Sequence, residues 1–481
     1  MTTQDTYIIV DIGTGNVRVA AASPQGQVLS VAREDIHYIK DPLYPDALYF
    51  EPTQLWLQVK RLAVQVLSGI PGTVVKAITA TSQREGIVLL SATGESLTGL
   101  PNIDHRGREW ENTIADKSRV YQLTGRYPTS LFSALKLVGI RERRPELWQQ
   151  CSTFLSISNW IEFMLSGVAR YEHSQASETL LYDVAQKQWS AELCKVFALD
   201  AALLPPLADS ATILGNILPG VAQELGLPAT VKIVAGGGDT QLAIKSTRPA
   251  VDDVVIVSGT TTPIVKITGT YTLDAEERTW TSRDIEPGRF VFEANAGVTG
   301  LNYQRLKEIF YPNEDYEVIE KELEENTHTF CMASLGSLLA DEEVSLTRGG
   351  FIFPAPVSHL LTRGSFVWAT ILDIACSIVK NYRILAATAG HDPDYIWACG
   401  GGLQSRVLRQ LIANLTGKKV QIRKEYQQSS AVGGALICNE ALQVNAVMED
   451  ATEVIHPVDT AYYSTLYAEW EKTRHYFRGM N

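Results

Sequence analysis

Tyr7-Ile-Ile-Val-Asp11-Ile-Gly13-Thr14-Gly15-Asn-Val-Arg18-Val-Ala-Ala-Ala-Ser23 decides the reading of this chain. Residues 7 to 10 form a short apolar run rich in β-branched side chains, and the apolar pattern resumes from Val17 to Ala22 after a Gly-Thr-Gly turn. That pattern predicts a β-hairpin with a tight turn. Two glycines let a ligand lie close to the backbone, and successive turn amides make a concavity for an anion. Asp11 ends the strand, where it is placed to hold a divalent metal through water, since Mg²⁺ keeps part of its hydration shell. Arg18 supplies a fixed cation. On this stretch alone, an ordinary tight hairpin with a surface aspartate is an equally good reading.

An echo midway along the chain shifts the balance. Asp253-Val-Val-Ile-Val-Ser258-Gly259-Thr260-Thr261-Thr262-Pro-Ile-Val-Lys-Ile-Thr268 repeats the plan of strand, Gly-Thr turn and strand. Two such hairpins, one in each half, indicate a duplicated fold that clamps a nucleotide. Asp11-x-Gly13-Thr14-x-x-x-Arg18 together with Gly259-Thr260-Thr261 resembles the FGGY family of carbohydrate kinases, within the actin-like ATPase superfamily. The resemblance implies two duplicated α/β domains of the actin-like (ribonuclease H-like) type, at residues 1–246 and 247–481, with ATP and substrate between them.

Composition sets the outer limits. A chain of 481 residues is long enough for two to four domains, and 45% hydrophobic with 20% charged residues is an ordinary globular balance. Nothing approaches the roughly 18 successive apolar residues of a membrane span. The first residues run directly into a strand with no leader pattern, so a cytoplasmic protein is expected. A net charge of −12 argues against nucleic acid and anionic membranes as partners. The six cysteines show neither a C-x-x-C pair nor a histidine at zinc spacing, which suits reduced thiols. A small polyhydroxylated molecule is the expected partner, and a homodimer the expected assembly.

Along the chain, Thr53 to Leu67 has helical periodicity with Thr53 as candidate N-cap, and Val74 to Thr81 reads as a strand ending at Ser82-Gln83-Arg84-Glu85-Gly86. Charged side chains at the carboxyl end of a core strand stand where open α/β sheets bind ligands, although an ion pair at a bend would look the same. Glycerol kinases of the family carry Gln-Arg-Glu at this point, where the arginine and glutamate hold substrate hydroxyls. Asp104, in a segment similar to the family's Trp-x-Asp-x-Arg, is a further substrate candidate, with Asn102 in the tryptophan's place. Ser133 and Lys136 fit the first family signature, and Gly139 departs from it. Residues 355–371 depart from the second.

Val231-Lys-Ile-Val-Ala235-Gly236-Gly237-Gly238-Asp239-Thr240-Gln241 runs a strand into three glycines and an acid. A chain stripped of side chains lets a ligand lie against it, and Asp239 projects at that point. In the FGGY pattern this aspartate is the general base, with Asp11 and Asp239 about the metal and Thr240 beside the substrate. Phosphoryl transfer asks for an in-line hydroxyl, neutralised phosphate charge and a carboxylate to take the proton. Glu293-Ala-Asn295-Ala-Gly297 is expected to approach the nucleotide. Cys399-Gly400-Gly401-Gly402-Leu403-Gln404-Ser405 is a glycine-rich strand-to-helix turn, which the family uses for adenosine. Its spacing is not that of a dinucleotide site. Asp315 to Glu325 is expected to be a solvated acidic helix, Gly417 to Ile422 to hold the last strand, and the tail from Pro457 to close the chain as a helix.

Within the family, Arg84-Glu85-Gly86-Ile87-Val88-Leu89, Gly236-Gly-Gly-Asp239-x-Gln241-Leu242 and Ser158-x-Trp160 resemble the autoinducer-2 kinases, which act on a linear dihydroxypentanedione. The expectation is an ATP- and Mg²⁺-dependent kinase for that or a similar polyhydroxy ketone. A pentulose or polyol kinase is the alternative. A nucleotide switch without transfer is disfavoured, because Asp239 would then have no proton to take.

Overall fold

The computed structural model describes residues 4–325, 331–342, 344–448, 451–458 and 460–480. The opening stretch forms β1 (Gln4–Ile12) and β2 (Asn16–Ala22), paired antiparallel with Asp11 opposite Arg18. β3 (Val28–Asp35) pairs with β2, and β1 lies parallel to β4 (Thr73–Ser82), which lies parallel to the glycine-ending β6 (Lys232–Gly238). β5 (Ile213–Asn216) runs antiparallel along the far edge, giving the order β3-β2-β1-β4-β6-β5. The apolar runs in β1 and β4 are buried on both faces, as parallel central strands require.

The second half repeats the plan. β7 (Val254–Val257) turns back into β8 (Thr261–Thr268), which pairs with β10 (Phe290–Val298), while β7 runs parallel to β11 (Tyr395–Cys399) and β11 to β12 (Lys419–Arg423). β9 (Trp280–Arg283) and β13 (Thr452–Ile455) add antiparallel edges. Strand for strand, β10-β8-β7-β11-β12 matches β3-β2-β1-β4-β6, so the duplication expected from two Gly-Thr hairpins is present at the level of the sheets. Lys419–Arg423 is not the last strand, because β13 completes that edge.

Two helices join the sheets by crossing over. α1 (Asp239–Thr247) follows β6 of the first sheet, yet its Ala243 and Ile244 pack among Val255, Val257, Val265 and Trp397 of the second. α4 (Ser429–Leu442) follows β12 of the second, yet Ala435, Ile437 and Cys438 pack with Tyr7, Ile9 and Ala77 of the first. The Lys245 ammonium bonds Glu440, fastening one helix to the other.

Local details differ from the sequence reading. The first helix spans Pro52–Ser68, with Glu51 rather than Thr53 at its N-cap and Pro52 in the first turn, where a missing N–H costs nothing. Tyr316–Glu325 is not solvated all round: Ile319 and Leu323 are buried, and Glu320 accepts the Arg406 N–H. The long helix α3 (Arg363–Ala389) covers the second sheet, and Thr460–Arg478 closes the chain as a helix. Between α3 and β10 lies α2 (Gly300–Phe310).

Candidate active site

A cleft of about 750 Å³ lies between the two sheets, at the carboxyl ends of their parallel strands. The first Gly-Thr turn forms one wall. The Gly13 N–H bonds the Asn16 carbonyl at 2.9 Å and closes the turn, which leaves Gly13 and Thr14 facing the cleft. Arg18 folds back across the hairpin onto its register partner and bonds Asp11 Oδ2. Ser430 Oγ donates to the same oxygen at 2.6 Å. The guanidinium also reaches Gln428 Oε1 at 3.1 Å. Arg18 is therefore a partner of Asp11 as well as a cation on the wall. Among the described residues, Asp11 Oδ1 has no hydrogen-bond donor.

Asp239 stands opposite. Its approach depends on Gly236, where any Cβ would overlap the Ala80 carbonyl of β4. Asp239 opens α1, and its Oδ1 accepts the Thr240 N–H at 2.6 Å and the Thr240 hydroxyl at 3.3 Å. Burial first, and the Asp11 charge second, push its carboxyl up to about 6, against the pull of Arg84. A side chain that still reaches solvent through the cleft thus behaves electrically as a buried one.

The second Gly-Thr turn and the glycine-rich turn after β11 make the other wall. Gly259 N–H bonds the Thr261 carbonyl at 2.9 Å, and Gly402 N–H bonds the Ser258 carbonyl at 2.8 Å, which locks the two turns together. Gly259, Thr260, Thr261, Gly401, Gly402 and Gln404 all face the cleft.

At the inner end stand Gln83, Arg84 and Glu85. Gln83 serves the scaffold: its amide bonds the Gly13 carbonyl at 3.2 Å, and its Oε1 accepts the Asn102 N–H at 2.8 Å. Arg84 makes two parallel bonds to Glu293, at 2.6 and 3.0 Å. Glu85 sits in a left-handed conformation at φ 62°. Burial, with the Glu178 charge behind it, pushes its carboxyl well up from the usual carboxylate range, against the pull of Arg84 and the buried Lys136. Asn102 bonds Thr14 Oγ1 at 2.9 Å, and its buried Oδ1 has no partner among the described residues.

Four candidates lie off the cleft. Asp104 is wholly buried, its oxygens taken by the Leu48 N–H and Arg106 Nε at 2.9 and 2.8 Å, so it braces a loop instead of meeting a substrate. Gly15 faces solvent and spends its carbonyl on the Ile36 N–H. Ser405 is buried as the N-cap of the helix Arg406–Thr416. Gly297 has a positive φ of 64° and packs under Leu338, which makes it a backbone requirement rather than a ligand contact. Glu293, expected near the nucleotide, is turned instead toward Arg84. Conversely, Tyr303, Gln304 and Lys307 of α2, with Tyr316, line the outer end and were missed. Their signal was faint: residues 303 and 307 share a face of a helix that opens directly after a strand.

The FGGY family of carbohydrate kinases accounts for both halves, its N-terminal domain matching residues 6–245 and its C-terminal domain residues 345–442. The chain belongs to that family. A Bacillus subtilis relative, YoaC, provisionally assigned as a sugar kinase, is 50% identical over 482 residues, covering 100% of this chain and 99% of its own. The autoinducer-2 kinase of Salmonella typhimurium is 25% identical, with 96% and 92% covered. Among solved structures, xylulose kinase of Lactobacillus acidophilus superposes with a TM-score of 0.85 at 18% identity and 98% coverage of both chains. Glycerol kinase of Plasmodium falciparum with ADP superposes at 0.84, 18% identity, and 99% and 98% coverage. The duplicated sheets are thus the actin-like fold of FGGY kinases, and the enzyme is a phosphotransferase acting on a sugar hydroxyl. No helix among the described residues is long and apolar enough to cross a membrane.

The FGGY site also fits a divalent cation. Asp11 and Asp239 lie close enough for one charge to raise the other, and Asp11 Oδ1 is open. No group of three or more His, Cys, Asp or Glu side chains could cage a metal among the described residues. Mg²⁺ typically takes one or two carboxylates and completes its shell with phosphates and water, and Asp11 with Asp239 can offer such a pair.

Proposed function

We propose that the protein uses ATP and Mg²⁺ to phosphorylate a hydroxyl of a small sugar-like polyhydroxy ketone, with Asp239 as the general base. The observation that carries this is the position of Asp239 between the Arg84–Glu85 end of the cleft and the two phosphate-binding turns. Thr14 on one wall and Gly259, Thr260 and Thr261 on the other hold the phosphates, and Gly401, Gly402 and Gln404 the adenosine. Arg84 and Glu85 hold acceptor oxygens. Asp239, ionised at neutral pH, accepts the hydroxyl proton as the oxygen attacks. Asp11 and Asp239 would hold Mg²⁺, which would supply charge neutralisation on the transferring group. Residues 1–246 and 247–481 are the parts that close over the pair and exclude water.

A linear dihydroxypentanedione is the preferred acceptor, supported by the 25% identity to autoinducer-2 kinases over nearly the whole chain. A pentulose or polyol is the alternative, supported by the Gln83-Arg84-Glu85 triplet. Cytoplasmic residence and a homodimer belong to the same reading, and sedimentation velocity tests the second. The acceptor is tested by coupled ADP release across a panel of the dione, D-xylulose, glycerol and D-glucitol. Turnover at least tenfold above the acceptor-free rate with one of them identifies the class. No rise with any of them defeats the proposal.

A further inference from the structure

Arg84 is the fixed positive side chain at the acceptor end of the cleft, and its charge is already answered. Glu293 reaches it from β10 of the second sheet and engages both terminal nitrogens. Glu293 Oε1 is itself held by the Asn295 amide at 2.9 Å. On the other side, Arg84 Nη1 lies 3.8 Å from Glu178, whose Oε1 is taken by the buried Arg126. Two arginines thus face two glutamates, all of them at most 8% exposed. The two acids beside it on the cleft lining, Glu85 and Asp239, bring no further positive charge to the acceptor end.

From this arrangement we propose that Glu293 is a specificity-determining residue: it neutralises Arg84 across the two halves, so that the pocket accepts uncharged polyhydroxy acceptors and rejects anionic ones. The inference rests on the kinase reading above. A buried arginine with a free fork binds carboxylate or phosphate bidentately. An arginine whose fork is filled by a protein carboxylate offers a sugar only its remaining N–H edge. An anionic acceptor would have to displace Glu293, stranding a buried carboxylate, or remain unpaired beside Asp239. Both are costly, because a buried charge needs a partner. Rejection of this kind acts through an unfavourable element rather than through tighter binding of the right molecule. Glu293 does not line the cleft and is neither a metal nor a nucleotide contact in this reading, so altering it leaves those parts in place.

The test uses the full-length enzyme and the best neutral acceptor from the panel as reporter. D-gluconate is added as a competitor to wild type, Glu293→Gln and Glu293→Asp. Glu293→Gln is expected to lower the gluconate inhibition constant at least tenfold while the ATP KM stays within threefold. Glu293→Asp, which keeps the charge, is expected to resemble wild type. Adding Arg84→Met to Glu293→Gln should remove the gain. Unchanged gluconate inhibition in Glu293→Gln, no inhibition in any variant, or a gain shared by Glu293→Asp overturns the proposal. If Glu293→Gln does not fold, wild type decides between gluconate and its neutral alcohol, D-glucitol: equal competition overturns the inference, and a tenfold preference for the alcohol supports it. Failure of the kinase reading looks different, since wild type would then turn over no neutral acceptor at all.

Discussion

At the scale of single residues, Asp239 has the strongest claim on the chemistry. The carboxyl is pushed up to about 6 because it is buried beside Asp11, yet it remains ionised at neutral pH. Rate should therefore rise with pH on the acid side of 6, since Mg²⁺ beside the carboxyl draws its titration down, and level off above it. Asp239→Asn keeps the size and the bond from Thr240 but cannot accept a proton, so transfer should fall by roughly 10²–10⁴-fold. ATP affinity, read by calorimetry, should stay within a few-fold. Near-normal single-turnover transfer by the variant would remove base catalysis from this residue, and loss of ATP binding along with transfer would make metal binding its chief role.

Glu85 permits a finer separation. Burial raises its carboxyl toward the protonated form, of which glutamine is a near replica. Glu85→Gln should change the acceptor KM by less than about threefold near neutral pH, since donor and acceptor atoms are retained. Arg84→Ala, by contrast, removes a partner and should raise that KM about tenfold or more, with the ATP KM nearly fixed. The sign of the linkage is also definite. A carboxyl raised from 4.5 to about 8 on folding adds stability that is complete below 4.5 and lost as pH rises through 8. Wild type should therefore lose stability more steeply than Glu85→Gln as pH rises from about 4.5 through neutrality, which thermal unfolding across that range would reveal.

At the scale of elements, the crossed helices α1 and α4 hold the sheets at their working distance. Gly433 of α4 lies against the Leu242 carbonyl of α1, where a Cβ would collide with the backbone. Two effects oppose each other in Gly433→Ala. Helix propensity favours alanine by about 1 kcal/mol. Overpacking against a backbone atom that cannot rotate away costs roughly 1–3 kcal/mol. The collision should win, lowering the unfolding temperature by a few degrees and reducing turnover as the helices part. An unchanged or raised melting point would show that the helix pair yields.

For the whole molecule, the proposed nucleotide and metal sites draw on residues of both halves. Ligand that binds only the folded state at a hundred times its Kd stabilises by about 2.7 kcal/mol, so Mg-ATP should raise the melting temperature clearly. Asp11→Asn keeps acceptors for Arg18 and Ser430 but withdraws the charge facing the metal. In that variant the Mg²⁺-dependent part of the rise should vanish along with turnover, while the melting point without ligand remains close to wild type. Full turnover by folded Asp11→Asn would take this residue out of the site.

What the sequence determined by itself is local and periodic. The two Gly-Thr hairpins, the glycine run before Asp239 and the strand alternations around them are set by backbone sterics and by apolar runs a few residues long, and these fall where the residues say. Asp11, Thr14, Asp239, Gly259 to Thr261 and the Gly401–Gln404 turn could be picked out because each motif builds its own geometry within a few positions. Contacts between distant segments left no such mark. Nothing in the order of residues says that Glu293 meets Arg84 across 209 positions, that Asp104 is taken by Arg106, or that Tyr303 and Lys307 line the cleft. Nor does it say that α1 and α4 each leave their own sheet to pack on the other. Those pairings depend on how two sheets and two helices close around one another, and a buried charge finds its partner only once that closure has fixed which side chains are removed from water together.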